Sequence, residues 1–208
     1  MVRPVDLSTA AEPVTSTDQP DNPLAWLADG TILLSTEGAG GGDLFAMNID
    51  DDEPARPLLN ARWQERGASV SPDGRWLAYE SGRSGTLQLY VRSWPDLEGG
   101  TLVAEGEANL SFQSHPQWSA DNGTLYYHEQ NRIRAASIGT EDGFEVLSTR
   151  TLPFQVTGFL QDIHPDGRLL IAEFEGATQS DETIGASEQL IVFTGWFTEL
   201  RARLGGGN

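Results

Sequence analysis

Ser71-Pro72-Asp73-Gly74-Arg75-Trp76-Leu77-Ala78-Tyr79 is the stretch on which the reading of the chain turns. Proline presets φ, aspartate bonds its own backbone, and glycine accepts a positive φ with no Cβ clash, so Pro72-Asp73-Gly74 is a turn. After it, Trp76, Ala78 and Glu80 alternate with Leu77, Tyr79 and Ser81, the two-residue period of a strand. Before it, Ala68 and Val70 alternate with Ser69 and Ser71. The stretch therefore predicts a β-hairpin closed by an Asp-Gly turn.

The phrase occurs three more times. The copies are Trp26-Leu27-Ala28-Asp29-Gly30-Thr31-Ile32-Leu33-Leu34, Trp118-Ser119-Ala120-Asp121-Asn122-Gly123-Thr124-Leu125-Tyr126-Tyr127 and Ile163-His164-Pro165-Asp166-Gly167-Arg168-Leu169-Leu170-Ile171. In the third copy Asn122 takes the glycine slot, because asparagine also tolerates the left-handed region. The turn aspartates stand at 29, 73, 121 and 166, at intervals of 44, 48 and 45. Self-similarity at roughly 40–45 residues, with four strands per unit, is the period of a propeller blade. The expected fold is all-β: a β-propeller of four recognisable four-stranded antiparallel blades with a short C-terminal helix.

The expected blades span about 24–60, 61–106, 107–152 and 153–195 within a propeller at 24–204. Residues 1–23 read as a linker whose segment 3–7 is a candidate closing strand, and 205–208 as a flexible tail. Trp26 is expected to start the inner hairpin of the first blade. The glycine run 38–42 reads as a flexible loop, and with no lysine in the chain it is not a P-loop. Residues 196–204 fit one short amphipathic helix, with Trp196, Phe197, Leu200 and Leu204 along one side. Trp26, Trp76 and Trp118 recur with the repeat, so core packing between blades is their expected role.

Composition narrows the classes of function. At 208 residues the chain is long enough for a substantial core. It has no cysteine, which removes disulfides, thiolate metal sites and cysteine nucleophiles. Its 31 acidic residues against 13 basic ones, all arginine, leave a net charge of −18. Such a surface repels phosphate backbones and anionic lipid, so nucleic-acid and membrane-surface binding are disfavoured. A basic partner is the sharper explanation of the acidity; general solubility and a salty habitat compete with it. The run Asp50-Asp51-Asp52-Glu53 has the wrong spacing for a calcium loop and reads as a solvated turn. No apolar stretch is long enough to span a bilayer, and the N-terminus lacks a signal-peptide core. The chain reads as soluble, cytoplasmic as written and extracytoplasmic if it belongs to an exported parent.

The phrase Ser-Pro-Asp-Gly-Arg-x-Leu-x-Tyr, with a third strand such as Leu89-Tyr90-Val91-Arg92, resembles the WD40-like PD40 repeats of TolB-type propellers. Ile191-Val192-Phe193 followed by Trp196-Phe197-Thr198-Glu199-Leu200 resembles the closing segment of bacterial propellers fused to serine/threonine kinases, as does Pro116-Gln117-Trp118-Ser119 in the blade before last. The resemblance covers residues 24–204 and departs from the pattern at Gly195, where the family usually has asparagine. It also implies about six blades where this chain shows four. The kinase half is absent: there is no glycine-rich loop with its lysine and no His-Arg-Asp or Asp-Phe-Gly triplet.

No enzyme chemistry assembles from the sequence. The three histidines, His115, His128 and His164, are not paired at i, i+4, and no Gly-x-Ser-x-Gly elbow occurs. The expectation is a non-catalytic scaffold, without metal or cofactor, that binds a protein or peptide. An accessory or sensor propeller of a kinase or peptidase is the alternative, and a glycan-binding or lytic propeller ranks below it. Self-association to complete the ring is a further expectation. Connections at equivalent places on a ring converge on one face, so the binding residues are sought there. Arg62, Trp63, Glu65 and Arg66 lie before the second blade, Gln113 and His115 before the third, and Phe159 and Gln161 at the entry of the fourth. Trp63 flanked by arginines has the composition of an interface hot spot, the competing role being a cap on a blade edge.

Overall fold

The computed structural model describes residues 21–38, 41–51, 53–59, 61–105, 116–156, 158–174 and 188–193. Sheet 1 contains β1 (Asp21–Trp26), β2 (Thr31–Gly38), β3 (Gly41–Asn48) and β4 (Arg56–Pro57). Sheet 2 contains β5 (Glu65–Val70), β6 (Trp76–Ser81), β7 (Gln88–Ser93) and β8 (Thr101–Ala104). Sheet 3 contains β9 (Gln117–Trp118), β10 (Thr124–Glu129), β11 (Arg132–Gly139) and β12 (Glu145–Gln155). Sheet 4 contains β13 (Phe159–Ile163), β14 (Leu169–Phe174) and β15 (Glu188–Phe193). Each sheet is an antiparallel meander in chain order. The first strand of each sheet lies beside the first strand of the next, β1 with β5, β5 with β9 and β9 with β13. That is a propeller arrangement.

The repeated phrase builds the same turn four times. The amides of Gly30, Gly74, Asn122 and Gly167 donate to the carbonyls of Leu27, Ser71, Ser119 and His164 at 2.8–3.1 Å. Those four donors all have positive φ, including Asn122 at 60°, so the asparagine does fill the glycine slot. The Oδ1 atoms of Asp29, Asp73, Asp121 and Asp166 accept from the amides two residues on, at 2.9, 3.2, 3.0 and 3.1 Å. Hydrogen bonds hold three of these carboxyls below their ordinary range. The donors are the Thr31 backbone for Asp29, the Ser119 hydroxyl for Asp121 and the Arg168 side chain for Asp166, the last down to about 2. The Asp73 amide also donates to Asn122 Oδ1 at 3.0 Å, joining the turns of sheets 2 and 3.

Three apolar cores separate the four sheets. Leu33, Leu44 and Ala46 of sheet 1 meet Leu77, Tyr79 and Tyr90 of sheet 2. Ala78, Leu89 and Val91 meet Trp118, Leu125 and Tyr127 of sheet 3. Tyr126, Ile133 and Leu152 meet Leu160, Leu169 and Ile171 of sheet 4. Alternation along β6 and β10 thus sends one set of residues to the preceding sheet and the other to the following one, and on β14 it sends Leu169 and Ile171 to sheet 3.

Several expectations need correction. β1 begins at Asp21, inside the expected linker, and Trp26 ends that strand instead of starting the hairpin. The three tryptophans are not equivalent: Trp26 and Trp118 precede the turn, whereas Trp76 follows it. Trp76 and Trp118 approach the Phe144 ring, at centroid distances of 5.4 and 6.2 Å, in the core between sheets 2 and 3. Trp26 is 60% exposed. The expected glycine loop is largely ladder, since β2 and β3 pair as far as Gly38 and Gly41. Gly42 sits in a close approach, since a Cβ there would stand 3.0 Å from the Thr36 carbonyl and 3.1 Å from the Glu65 carbonyl, tighter than ordinary contact. β12 runs to Gln155, past residue 152, where the third blade was expected to end. The outermost strands differ in length: β4 has 2 residues, β8 has 4 and β12 has 11. The candidate strand at 3–7 and the helix at 196–204 lie outside the described residues.

Candidate functional site

The Asp-Gly turns occupy one end of the sheets. By strand direction, the hairpins β2–β3, β6–β7 and β10–β11 and the connections from sheet to sheet occupy the other. The connection at 61–64 enters sheet 2 on this second rim, where Gly82 N donates to the Gln64 carbonyl at 2.8 Å. That bond ties the connection to the β6–β7 turn and places Arg62 and Trp63 beside Gly82 and Arg83. Arg62 and Arg83 are exposed and Trp63 is half-buried. The Arg83 guanidinium lies 4.0 Å from the centroid of the Tyr90 ring, a cation–π contact that fixes its direction.

Two carboxylates lie beneath this surface. Glu65 is 4% exposed on the face of β5 towards sheet 1. Burial pushes its carboxyl up to about 7, against the pull of Arg92 and a hydrogen bond from the Trp63 side chain; Asp43 pushes in the same direction as burial. Its Oε2 has no hydrogen-bond partner. Glu80, also 4% exposed, accepts from Arg66 Nε at 2.8 Å on the face towards sheet 3. Burial pushes it up to about 7 as well, Arg66 opposing. His128 holds the position along β10 that Glu80 holds along β6. It is 3% exposed, and burial lowers its pKa while the backbones of Gly158 and Gln130 partly offset that.

The eight residues singled out from the sequence thus fall into distinct environments. Arg62 and Trp63 belong to the rim surface. Glu65 and Arg66 are strand residues beneath it, and the Arg66 side chain is 12% exposed in its ion pair with Glu80. They support the surface and are poorly placed for contact. Gln161 is exposed on β13, away from this cluster in sequence and sheet. The backbone of Phe159 opens β13, and Gln113 and His115 lie outside the described residues. Sequence reasoning missed Arg83, Tyr90, Glu80 and His128. The alternation of β6 places Glu80 on a core-facing side, and a charged residue on such a face is the signal that was available.

A second feature is an open cavity of about 580 Å³ near the turn end of sheet 3, bordered by Asp121, Glu141, Asp142, Phe144, Glu145 and Leu147. Among the described residues no three His, Asp or Glu side chains converge as metal ligands. No helix among them is long and apolar enough to cross a membrane.

No protein-family model matches the sequence. No curated protein matches it. Solved structures do. TolB from Acinetobacter baumannii matches with a TM-score of 0.53 at 16% identity, over 84% of this chain and 40% of that one. The β-propeller domain of the Trilobed protease from Pyrococcus furiosus, described as having an open velcro topology, matches with a TM-score of 0.51 at 14% identity, over 83% and 53%. A chain of a nidogen/laminin complex matches with a TM-score of 0.53 at 13% identity, over 69% and 51%. The chain spans about half the length of these structures or less. Its fold is that of a TolB-like β-propeller.

Proposed function

We propose that this chain is a non-catalytic propeller scaffold that binds a protein or peptide at the rim formed by the 61–64 connection and the β6–β7 turn. The observation that carries the proposal is two exposed arginines, Arg62 next to the half-buried Trp63 in sequence and Arg83 held over the buried Tyr90 ring, on two segments joined by the Gly82–Gln64 hydrogen bond. Arginine and aromatic side chains supply most of the energy at protein interfaces. The net charge of −18 draws basic partners from a distance. The exposed charges at the rim itself are guanidinium groups, so the segment that seats there carries a carboxylate.

A panel of random displayed peptides selected on the full chain tests this reading. Selected peptides should be rich in Asp or Glu, and Trp63→Ala and Arg62→Ala should each weaken them at least tenfold with the fold intact. Peptides that bind both variants as well as the parent would refute the site. Arg66→Ala is unsuitable because it breaks a buried ion pair. The competing reading is an accessory propeller of a peptidase or kinase system, and the likeness to the propeller domain of a protease favours it. A catalytic partner that copurifies with the chain and is released by Trp63→Ala would support that reading.

A further inference from the structure

Sheet 2 buries two carboxyls to the same depth, and only one of them has a counter-charge. Glu65 and Glu80 are each 4% exposed. Glu80 accepts from Arg66 Nε at 2.8 Å, on the face towards sheet 3. Glu65 opens β5 on the opposite face, in register with Ser81. The Trp63 side chain donates a hydrogen bond to its carboxyl, and Oε2 has no partner. Charged and titratable groups face it from three strands. Arg92 of β7 gives its guanidinium to the Tyr79 hydroxyl and the Leu97 carbonyl, both at 2.8 Å, and acts on Glu65 only through its field. Tyr79 of β6 is itself held above its ordinary range by burial. Asp43 of β3 adds negative charge.

An ionised carboxylate in this place has lost its water in exchange for one indole hydrogen bond, which is poor compensation. Two routes relieve it. The carboxyl can bind a proton, or the structure around it can open and readmit water. The backbone of Glu65 is hemmed in, since a Cβ on Gly42 of β3 would stand 3.1 Å from its carbonyl. The 61–64 connection before it has more freedom. None of its residues belongs to a strand, and the Gly82 amide holds it to the β6–β7 turn through the Gln64 carbonyl.

We propose that Glu65 is a proton-operated latch for this connection. With the carboxyl protonated the connection stays closed; when the proton leaves, the connection opens and water solvates the carboxylate. Arg62 and Trp63 ride on the connection, so the latch also governs binding at the rim, a consequence that rests on the reading of the rim as the binding surface. Burial pushes the Glu65 carboxyl up to about 7, so the latch works across neutral pH. Glu80 is pushed to the same range but pairs with Arg66 on the other face, so a substitution at Glu65 isolates the latch.

The test is hydrogen exchange at the Gly82 amide, whose bond to Gln64 breaks when the connection opens. Dividing its rate by that of an unstructured reference peptide removes the intrinsic dependence on pH. With the opened carboxyl at the ordinary 4.5, Gly82 protection should fall about tenfold between roughly pH 6 and pH 8. The Ser71 amide, bonded to the Trp76 carbonyl at the other end of the sheet, should keep its protection. Glu65→Gln, neutral and of the same shape, should hold Gly82 protection level. Trp63→Phe removes the donor to the carboxylate and should move the transition to higher pH. Peptides selected on the parent should bind it more weakly at the higher pH, and bind Glu65→Gln equally at both. Protection of Gly82 that stays level in the parent, or falls as steeply in Glu65→Gln, would overturn the latch. A latch seen by exchange beside peptide binding to the rim that ignores pH would overturn its control of the rim. Peptides indifferent to Trp63→Ala would refute the rim reading and leave the latch supported by the exchange.

Discussion

The two ends of the sheets hold their carboxylates in opposite ways. At the turn end Asp29, Asp121 and Asp166 accept hydrogen bonds from nearby donors and are pushed towards ionisation. At the rim Glu65 and Glu80 are buried and pushed towards protonation, to about 7 each. The first arrangement comes from a local phrase repeated four times. The second comes from sheets packing face to face, which buries carboxyls whose partners stand on other strands. Local chemistry here builds the frame, and packing creates the chemically unusual groups.

Breaking the rim should cost most. Arg66→Met strips Glu80 of its counter-charge and should destabilise by about 3–5 kcal/mol in mildly alkaline buffer, read from urea unfolding. The loss should shrink below neutral pH, where Glu80 binds a proton. An equal loss at both pH values would mean that the pair acts through packing alone.

Asn122→Ala probes the turn end. Alanine in the left-handed region costs about 1–2 kcal/mol, and the bond to the Asp73 amide is lost with it. Asn122→Gly should cost less, since only the bond is lost. Equal costs would place the whole effect in that bond.

The rim carboxyls also set a pH dependence. A carboxyl whose pKa rises on folding takes up a proton on folding, so its contribution to stability grows as pH falls and is lost as pH rises through about 7. His128 acts the other way, since its lowered pKa costs stability below its ordinary 6.5. With two such carboxyls against one histidine, thermal stability should rise as pH falls from about 7 towards the ordinary carboxylate value of 4.5, and change little above it. Glu65→Gln should raise the melting temperature in alkaline buffer and leave it nearly unchanged in acid. The turn aspartates enter only at lower pH, where protonation removes their support.

The smallest effect is expected at the surface. Arg62→Ala should change stability by no more than about 0.5 kcal/mol, because the side chain is exposed. A larger loss would move Arg62 from the binding surface into the scaffold.

The legible part of the sequence was the part with local rules. Asp-Gly turns, two-residue alternation and the Asn122 substitution follow from φ preferences and hydrogen bonds within five residues, and the four-sheet fold follows from their spacing. The tryptophans were misjudged because recurrence was read without phase: counting from the turn aspartate separates Trp76 from the other two. At the site, Arg62 and Trp63 were legible as a local composition. Arg83 over Tyr90 and Glu80 beside Arg66 were not, because each pair forms across a hairpin or between neighbouring strands. Gly42 was seen as part of a loop, although its purpose is to let the backbone of another sheet approach.

The unequal outer strands bear on colloidal behaviour. An uncovered strand edge is a template on which a foreign strand can grow, and its danger increases with length. The 2 residues of β4 and 4 of β8 offer little purchase, whereas the 11 of β12 offer a continuous border with Leu147 largely exposed. Near neutrality the 31 acidic residues keep neighbouring molecules apart. Acidification discharges them and leaves that border unguarded, so precipitation in acid should begin by strand addition along β12.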